Sequence, residues 1–335
     1  MTEPACLTEV WRGDFLESRH RGHAVVCDAD GEVRAAWGDP DTVILPRSSA
    51  KMLQALPLVE CAGDGALSDE RIALACASHS GAAMHTEAVA AWLAAMGLDE
   101  ADLRCGPQVP DDRPARERLR RAGRDPDQLH NNCSGKHAGF LALARRFGGG
   151  AEYVEPEHPV QVRVRATIEE MTGAPSPGFA IDGCCAPNFA TRLSGLALAM
   201  ARMAAPDALG PARGAAARRI VEAMMARPLL ISGEGRPCSE LTEAMRGRGT
   251  VKFGAESVYA AILPVDGLGV AIKVEDGSPR GSECAITALL VRAGVLAADD
   301  PVTRKWLTPA VRNRRGAVVG GLRPAPDFYD DGRPL

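Results

Sequence analysis

The chain has 335 residues, of which 46% are hydrophobic and 24% are charged, and its formal net charge is -4. This length can build a large core, and the composition is ordinary for a soluble globular protein. The slightly acidic balance contains no basic field, which argues against nucleic acid and membrane surfaces as partners. The N-terminus lacks the apolar region of a signal peptide, and no apolar run of about 18 residues predicts a membrane-spanning helix, so we expect a cytoplasmic protein.

The first half of the chain begins with strand patterns and then becomes helical. Residues 23–37 predict a β-hairpin, because two apolar runs flank the turn sequence DADG. From Ser48 onward the apolar spacing is helical, and Pro57 is expected to limit or kink the first helix. Within the helical part, GFAIDGCCAPNFA predicts a short buried strand that breaks into a loop at DGCCAPN.

The C-terminal part returns to strands. The segment VKFGAESVYAAILPVDGLGVAIKVED contains two apolar strands around the turn VDGLG, and a helix near 281–296 and a short strand GAVVGGL follow. We therefore predict an α+β fold in which both chain ends form one antiparallel sheet covered by helices. The helical part, about 48–246, is expected to be inserted between the terminal strands of a single domain, 1–335.

The stretch PRSSAKM contains a serine–lysine pair with helical spacing. Ser48 and Lys51 stand at i and i+3, which places their side chains on one helix face, whereas Ser49 points elsewhere. A serine hydroxyl becomes a nucleophile when a base removes its proton, and lysine can be that base only when neutral. An ordinary helix start with a solvated lysine is the alternative. The apolar run TVILP before the pair and the apolar helix after it favour a buried lysine.

A second cation and further serines are available elsewhere in the chain. Lys252 lies on a predicted strand and is followed by Phe253 and Gly254. This sequence is similar to the K-T-G or K-S-G motif of serine acyl-transfer enzymes, except that Phe253 stands in place of the hydroxyl residue. A nearby cation favours a neutral lysine. The loop sequence ASHSG offers Ser78 and Ser80 as a third element of such a site.

Ten cysteines occur in a chain without an export signal, which favours core thiols, metal ligands or redox sites over disulfides. Cys133 and Lys136 lie in NNCSGKHAGF, and Cys184 lies in DGCCAPN. This spacing is not a usual zinc signature, because lysine binds a metal only when neutral. From spacing alone, the two cysteines are interpreted as core or redox residues.

Six segments spread along nearly the whole chain resemble the Rhizobium-type L-asparaginases, also called the asparaginase II family. They are RGDFLESRHRG, PRSSAKMLQA, CASHSG, NNCSGKHAGF, DGCCAPNFA and KFGAESVYAAILPVDGLGVAIKV. The resemblance implies a fold similar to serine β-lactamases and serine-dependent glutaminases. It also implies hydrolysis of the small molecule L-asparagine to L-aspartate and ammonia, and a homodimer.

The resemblance also implies catalytic roles for two serines and two lysines. Ser48 matches the nucleophile of the family, and Lys51 matches its general base. Ser80 and Lys252 match a second Ser–Lys pair that supports the first.

Metal and substrate residues follow from the same resemblance. The residues that match the family's zinc ligands are Cys133, Lys136 and Cys184, with a water completing the shell and Asp182 close by. The zinc is expected to tune substrate binding rather than to generate the nucleophile. The residues that match substrate-facing groups are Arg47, His137 and Asp182. Cys185 departs from the family pattern, because a smaller residue such as glycine is expected at that position.

Three alternative functions remain open at this point. A glutaminase differs by one methylene in its substrate, which is worth only about 1–3 kcal/mol of discrimination. A β-lactamase or peptidoglycan peptidase acts outside the cytoplasm, and the missing signal peptide argues against it. The third alternative is a non-enzymatic zinc- or redox-responsive protein, in which the cysteines matter and Ser48 does not.

Overall fold

A computed structural model describes residues 2–63, 67–330 and 335, and the chain divides into two compact units. The first, here called the sheet unit, contains Met1–Ser49, Thr191–Ala205 and Glu240–Leu335. The second, here called the helical unit, contains Ala50–Ala190 and Pro206–Ser239. The single-domain organisation stays a prediction.

The strands and helices within the described residues are numbered in chain order. The strands are β1 (Ala5–Arg12), β2 (Phe15–Asp28), β3 (Val33–Trp37), β4 (Val43–Ile44), β5 (Phe179–Ile181), β6 (Pro187–Phe189), β7 (Thr191–Arg192), β8 (Thr250–Gly254), β9 (Val258–Leu263), β10 (Leu268–Val274), β11 (Ala310–Arg312) and β12 (Val318–Pro324). The helices are α1 (Lys51–Ala62), α2 (Asp69–Cys76), α3 (Ala83–Ala95), α4 (Arg113–Ala122), α5 (Ser134–Phe147), α6 (Pro159–Thr172), α7 (Leu193–Ala204), α8 (Pro211–Ala226), α9 (Pro228–Ile231), α10 (Pro237–Ala244), α11 (Pro279–Arg292), α12 (Pro301–Leu307) and α13 (Pro326–Tyr329). None of the helices within the described residues has the length and apolar character that crossing a bilayer requires.

The sheet unit is built on one antiparallel sheet whose strands come from both chain ends. Their order is β11-β12-β1-β2-β10-β9-β8, and β3 pairs with β2 as the predicted hairpin. The central pair joins the N-terminal β2 to the C-terminal β10, with Val26 opposite Val270. The predicted fold class, a sheet made from both ends and covered by helices, is confirmed.

Two helices of the same unit cover the central strands from opposite sides. The Cys27 thiol lies against the Ser194 carbonyl of α7, whereas His20 packs against Gly281 of α11. These two positions of β2 are seven residues apart, so their side chains point to opposite faces. Although α7 lies inside the segment predicted as the helical insertion, it therefore packs on the sheet.

The helical unit surrounds a buried first helix. Helix α1 packs against α2, α5, α6 and α8, and every residue from Lys51 to Val59 is buried. It continues through Pro57 to Ala62, so the proline does not end it. Because α1 is enclosed by helices, its lysine is removed from water together with its apolar side chains.

A small hairpin of the helical unit corrects one prediction from the sequence. Strand β5 pairs antiparallel with β6, but it is exposed rather than buried. Phe179 and Ile181 are 47% and 58% exposed, whereas β6 is buried throughout. Apolar content predicted the strand correctly, but it could not tell which strand of the pair faces the core.

Candidate active site

The turn that carries Ser48 is a tight 3-10 turn, Arg47–Ala50, that leads directly into α1. Arg47 has a φ of 53°, in the left-handed region that a non-glycine residue seldom adopts, and such strain concentrates at functional sites. The hydroxyl of Ser49 is fully buried and donates to the Pro46 carbonyl at 2.6 Å. Ser48 is only half-buried, so it is the more exposed of the two serines.

The end of strand β8 packs against this turn. A β-carbon on Gly254 would lie 2.6 Å from the Pro46 carbonyl oxygen and 2.9 Å from the Ser49 nitrogen, so only glycine allows this approach. Lys252, two residues earlier on the same strand, is fully buried. Its Nζ donates to the Phe253 carbonyl at 2.8 Å and lies 5.0 Å from the centre of the Phe253 ring.

A cavity of about 500 Å³ in the sheet unit adjoins the same turn. Its lining includes Arg47 and Lys273 as cations and Glu256 and Glu275 as carboxylates. Burial lowers the pKa of Lys273, although the nearby Glu256 opposes that effect. Groups of both signs therefore line the cavity next to Arg47.

Lys51, the first residue of α1, is 1% exposed and directs its amine at two oxygens of the helical unit. Its Nζ donates to the Ala77 carbonyl and, at 3.0 Å, to the hydroxyl of Ser78. Both acceptors follow the end of α2, and neither carries a charge. The expectation of a buried lysine is consistent with this arrangement, while its catalytic role stays a prediction.

The two serines of ASHSG therefore have different surroundings. Ser78 contacts the amine of Lys51. Ser80 packs instead against the backbone at Gly233, where an added β-carbon would lie 2.5 Å from the Ser80 hydroxyl. Its own carbonyl accepts a hydrogen bond from the Asp112 nitrogen at 2.8 Å. The pairing of Ser80 with Lys252 stays a prediction.

The three residues predicted to bind zinc lie together inside the helical unit. Cys133 and Cys184 are 5% and 4% exposed, and Lys136 is 4% exposed. The Lys136 Nζ lies 3.1 Å from the Cys184 sulfur, and the Cys133 thiol donates to Oδ1 of Asn132 at 3.1 Å. Cys133 is also close enough to Cys184 for each thiol to influence the pKa of the other. Cys133 directly precedes α5, and Lys136 lies in the first turn of that helix. This turn approaches α2 so closely that a β-carbon at Gly135 would collide with the Leu74 carbonyl.

The charges of this cluster depend on one another. The neighbouring Cys133 side chain lowers the pKa of the Cys184 thiol well below its usual value, and Lys136 lowers it further, against the effect of burial. Burial alone would lower the pKa of Lys136, but Cys184 and Cys133 outweigh burial and raise it. The proximity of Cys184 and burial raise the pKa of Cys133. Cys184 and Lys136 therefore favour each other's charged forms.

Two sulfurs and one nitrogen that converge in this way fit the donor set of a zinc ion. Among the described residues, no group of three or more His, Cys, Asp or Glu side chains could hold a metal ion. A zinc site here would therefore need the lysine nitrogen as its third protein ligand. Zinc binding stays a prediction.

The hairpin turn that carries Cys184 is closed by Asp182. The Asp182 carbonyl accepts from the Cys185 nitrogen at 2.8 Å, and its carboxylate accepts from the Gly183 nitrogen at 2.7 Å. Asp182 also lies close enough to Lys136 to help raise the pKa of that amine. Cys185 is exposed and has a φ of 67°, the left-handed conformation that favours glycine. Glycine adopts this left-handed conformation without strain, which gives a physical reason for the glycine expected at position 185.

His137 is buried beside this cluster and has one unsatisfied nitrogen. Its Nδ1 lies 2.9 Å from the Tyr153 hydroxyl, whereas its Nε2 has no hydrogen-bond partner within the described residues. Burial lowers the pKa of His137 well below its usual value, and the nearby Lys136 adds to this effect, so the ring is neutral. An unpartnered buried nitrogen carries a desolvation cost that a ligand can relieve.

Sequence analysis missed several residues that support these groups. The Tyr153 hydroxyl lies within hydrogen-bond distance of His137. Cys105 is another buried thiol, and burial together with the nearby Cys133 raises the pKa of Cys105. His79 bonds the first residue of α5. Of these positions, only His79 stood in a segment that had already been noted, between the two serines of ASHSG.

Comparison with known proteins identifies the family of the chain. The sequence profile described as L-asparaginase II matches residues 8–324. No curated protein gives a significant match.

Among solved structures, a β-lactamase from Mycobacterium bovis is 13% identical over 81% of this chain and 94% of its own, with a TM-score of 0.46. The protein Mglu in its glutamate form is 14% identical over 84% of this chain, with a TM-score of 0.48. The match spans 62% of the Mglu chain. The family match extends over nearly the whole length of the present chain and confirms the predicted resemblance, so this protein belongs to the L-asparaginase II family of amidohydrolases.

Proposed function

We propose that the chain is an L-asparaginase that hydrolyses L-asparagine to L-aspartate and ammonia, with Ser48 as nucleophile and Lys51 as its base. The observation that carries this proposal is the family match over residues 8–324, which includes both residues. The local structure agrees with it, since Ser48 is the partly exposed serine of its turn and Ser49 is already bonded to Pro46.

The reaction follows the pattern of a serine acyl-transfer enzyme. Neutral Lys51 takes the proton of the Ser48 hydroxyl as its oxygen attacks the side-chain carboxamide carbon. The protonated lysine then gives that proton to the leaving nitrogen, and ammonia departs from an aspartyl ester of Ser48. Water hydrolyses the ester with the same lysine as base, which releases L-aspartate and restores the serine.

Substrate recognition needs partners for an α-carboxylate, an α-ammonium group and the reacting amide. We assign the carboxylate to Arg47, because a guanidinium binds a carboxylate with two parallel hydrogen bonds. We assign the ammonium group to Asp182. The unpartnered Nε2 of His137 supports its assignment as a substrate contact.

A zinc ion would be held by Cys133, Lys136 and Cys184. When bound, it would act as an electrostatic centre that tunes substrate affinity. Because the proposed nucleophile is a serine activated by a lysine, the metal is not needed to generate a hydroxide. Chelation should therefore raise KM for asparagine more than it lowers kcat, and elemental analysis of protein grown with zinc should find about one zinc per chain.

The deciding experiment measures ammonia release from L-asparagine by the wild type, Ser48→Ala and Ser49→Ala. We expect Ser48→Ala to lose at least about a thousandfold of the activity. The fold should survive, because losing a hydroxyl at a helix start costs only about 1 kcal/mol. Ser49→Ala is the matched control and should retain most of its turnover. Near wild-type activity in Ser48→Ala would remove the serine from the mechanism.

A panel of L-asparagine, L-glutamine and a penicillin separates the alternatives. Preference for glutamine would make the protein a glutaminase with the same mechanism, and turnover of the penicillin alone would make it a β-lactamase. Zinc binding without turnover of any of the three would favour the non-enzymatic, zinc-responsive alternative.

A further inference from the structure

We propose that a cavity between α3, α4 and the turn at His130 binds a phosphate group. The net charge of -4 conceals a local excess of positive charge on and just after α4, because residues 113–124 contain six arginines and a single glutamate. The inference does not depend on the proposed function, since none of the residues that carry it is assigned a part in that reaction.

The chain itself neutralises only part of this positive charge. Arg113 and Arg121 pair with Glu117, at nitrogen–oxygen distances of 2.8 Å and 3.5 Å. Among the described residues, the side chains of the other arginines form neither a salt bridge nor a hydrogen bond. These arginines are Arg116, Arg118, Arg120 and Arg124. Because like charges three or four residues apart on a helix repel each other, a bound anion would relieve an electrostatic cost of this segment.

Two of the unpaired arginines line a cavity of about 230 Å³. Arg118 belongs to α4, and Arg124 follows Gly123, whose left-handed conformation ends that helix. His130 also lines the cavity, and its ring is held by Asp127, whose carboxylate lies 2.6 Å from Nδ1. Since one water occupies about 30 Å³ in the liquid, the cavity has room for a tetrahedral anion together with several waters.

The cavity also lies at the start of α3. Gly81, Ala83 and Thr86 are part of its lining, and no side chain caps the first turn of this helix. Backbone N–H groups of a first helical turn lack partners within the helix and attract anions. Added to the two guanidinium groups, they give the cavity donors for a ligand with several oxygens.

This set of donors favours a phosphate group over a carboxylate. A phosphate monoester carries a charge of about -1.5 to -2 at pH 7 and three acceptor oxygens. A carboxylate carries a single charge and two oxygens, so it would leave more of the positive charge in the cavity uncompensated. Glu87 is the carboxylate of the described lining, and it is exposed. It would repel a phosphate, so its removal is a test whose sign is opposite to that of removing an arginine.

The wall of the cavity includes the backbone next to Ser80. A β-carbon on Gly81 would lie 2.7 Å from the Pro110 Cβ and 3.0 Å from the His130 carbonyl oxygen. The nitrogen of Asp112, the residue before α4, donates to the Ser80 carbonyl at 2.8 Å. A phosphate in the cavity would therefore bind to segments that already pack together in the folded chain, and its binding should stabilise the protein.

The test is isothermal titration calorimetry of the full chain with inorganic phosphate, while sodium chloride keeps the ionic strength constant. We expect one saturable site per chain. Arg118→Gln and Arg124→Gln should each raise Kd by at least about tenfold, because each removes a charged hydrogen-bond donor. Arg116→Gln removes the same charge from the same helix outside the cavity lining, so Kd should stay within about twofold in this matched control. Glu87→Gln should lower Kd.

Thermal denaturation provides a second measurement. Without phosphate, all four variants should have nearly the wild-type Tm, because the substituted side chains are exposed. Phosphate should raise the Tm of the wild type and of Arg116→Gln, but not that of Arg118→Gln or Arg124→Gln. Glycerol 3-phosphate then identifies the source of the phosphate group. Tighter binding of this ester would assign the cavity to phosphorylated metabolites, and tighter binding of inorganic phosphate would assign it to the free ion.

Three results would overturn the inference. The first is the lack of saturable binding of either ligand in the millimolar range. The second is an Arg118→Gln variant that binds phosphate as well as Arg116→Gln does, since the anion would then not be held in this cavity. The third is L-aspartate that binds more tightly than phosphate and loses affinity in Arg118→Gln, which would make the cavity an amino-acid site. None of these results bears on asparagine turnover, so the proposed function would stand or fall separately.

Discussion

The two buried lysines of the helical unit have the same side chain and nearly the same burial, but opposite kinds of neighbours. Lys51 on α1 donates to a carbonyl and a hydroxyl, which are both neutral. Lys136 on α5 faces the sulfurs of Cys184 and Cys133 and lies near Asp182. The two helices pack against each other, so the contrast arises within one small region.

This difference teaches that two lysines with similar burial can have surroundings that suit different chemistry. Desolvation disfavours a buried ammonium group in general, and an anionic neighbour opposes that effect by Coulomb attraction. Lys136 has such neighbours, because Cys184 and Cys133 raise the pKa of its amine against the effect of burial. It would therefore have to lose a proton to bind a metal. The proposal uses Lys51, whose hydrogen-bond acceptors are neutral oxygens, as the base and Lys136 as the ligand.

The strongest test of the contrast replaces Lys51. Lys51→Met removes the base, and Lys51→Arg keeps a cation that cannot be deprotonated, so both should lose at least about a thousandfold in kcat for asparagine. Zinc content, measured by elemental analysis, should stay at the wild-type level in both. Turnover by Lys51→Arg near the wild-type rate would show that no neutral lysine is required.

The second test replaces the other lysine and predicts a different kinetic signature. Lys136→Met removes the nitrogen from the candidate metal site, so zinc affinity should fall by at least about tenfold. We expect KM for asparagine to rise by a similar factor while kcat changes by no more than a few fold. If kcat disappears and KM is unchanged, the metal takes part in the chemistry and the serine–lysine mechanism must be abandoned.

The third test measures how the surroundings of Lys51 respond to acid. Burial lowers the pKa of His79 well below its ordinary value of 6.5, and His85, Lys51 and His130 add to the effect. Above pH 6.5 the histidine is neutral in both the folded and the unfolded chain, so it has no effect on stability. Below pH 6.5 the unfolded chain binds a proton that the folded chain does not, so stability falls by about 1.4 kcal/mol per pH unit.

Burial also lowers the pKa of His85 and of His137, which adds contributions of the same sign. Chemical denaturation at a series of pH values from 7.5 to 5 would measure the sum. His79→Gln should be less stable at pH 7.5 but should show a shallower loss toward acid. A slope unchanged by this substitution would mean that His79 is protonated in the folded protein.

The smallest effect concerns the hairpin beside Lys136. Cys185→Gly relieves a left-handed conformation that costs an L-residue roughly 1–2 kcal/mol, but glycine loses about 0.5–1 kcal/mol of backbone entropy on folding. The net result should be a gain in the free energy of unfolding of up to about 1 kcal/mol, measured by thermal denaturation. Zinc content and KM should not change. A lowered Tm would mean that the Cys185 side chain contributes contacts that outweigh the strain.

The sheet could be predicted from local patterns, whereas the grouping of Cys133, Lys136 and Cys184 was expected only from the family resemblance. Apolar runs around the turn VDGLG predicted β9 and β10 as strands. The exposed strand β5 was predicted as buried, since its apolar residues carry no information about which partner covers them. The placement of α7 on the sheet was also beyond local patterns, because it depends on tertiary packing.

The partner of Lys51 could not have been predicted from spacing. Both Ser78 and Ser80 follow the end of α2, and the choice between them depends on the backbone path of that loop. The path is fixed by hydrogen bonds to Ile231 and Asn132, which lie about 150 and 50 residues away in the sequence. Long-range backbone pairing of this kind leaves no motif.

The close approach of Gly254 to Pro46 and Ser49 has a consequence for engineering the specificity of this protein. The position of the serine turn depends there on contact between two backbones, and not on the size or polarity of neighbouring side chains. Side chains around the cavity next to Arg47 can therefore be randomised in a library with little risk of moving Ser48. Position 254 should be kept as glycine in such a library, because even a methyl group would displace the turn that carries Ser48.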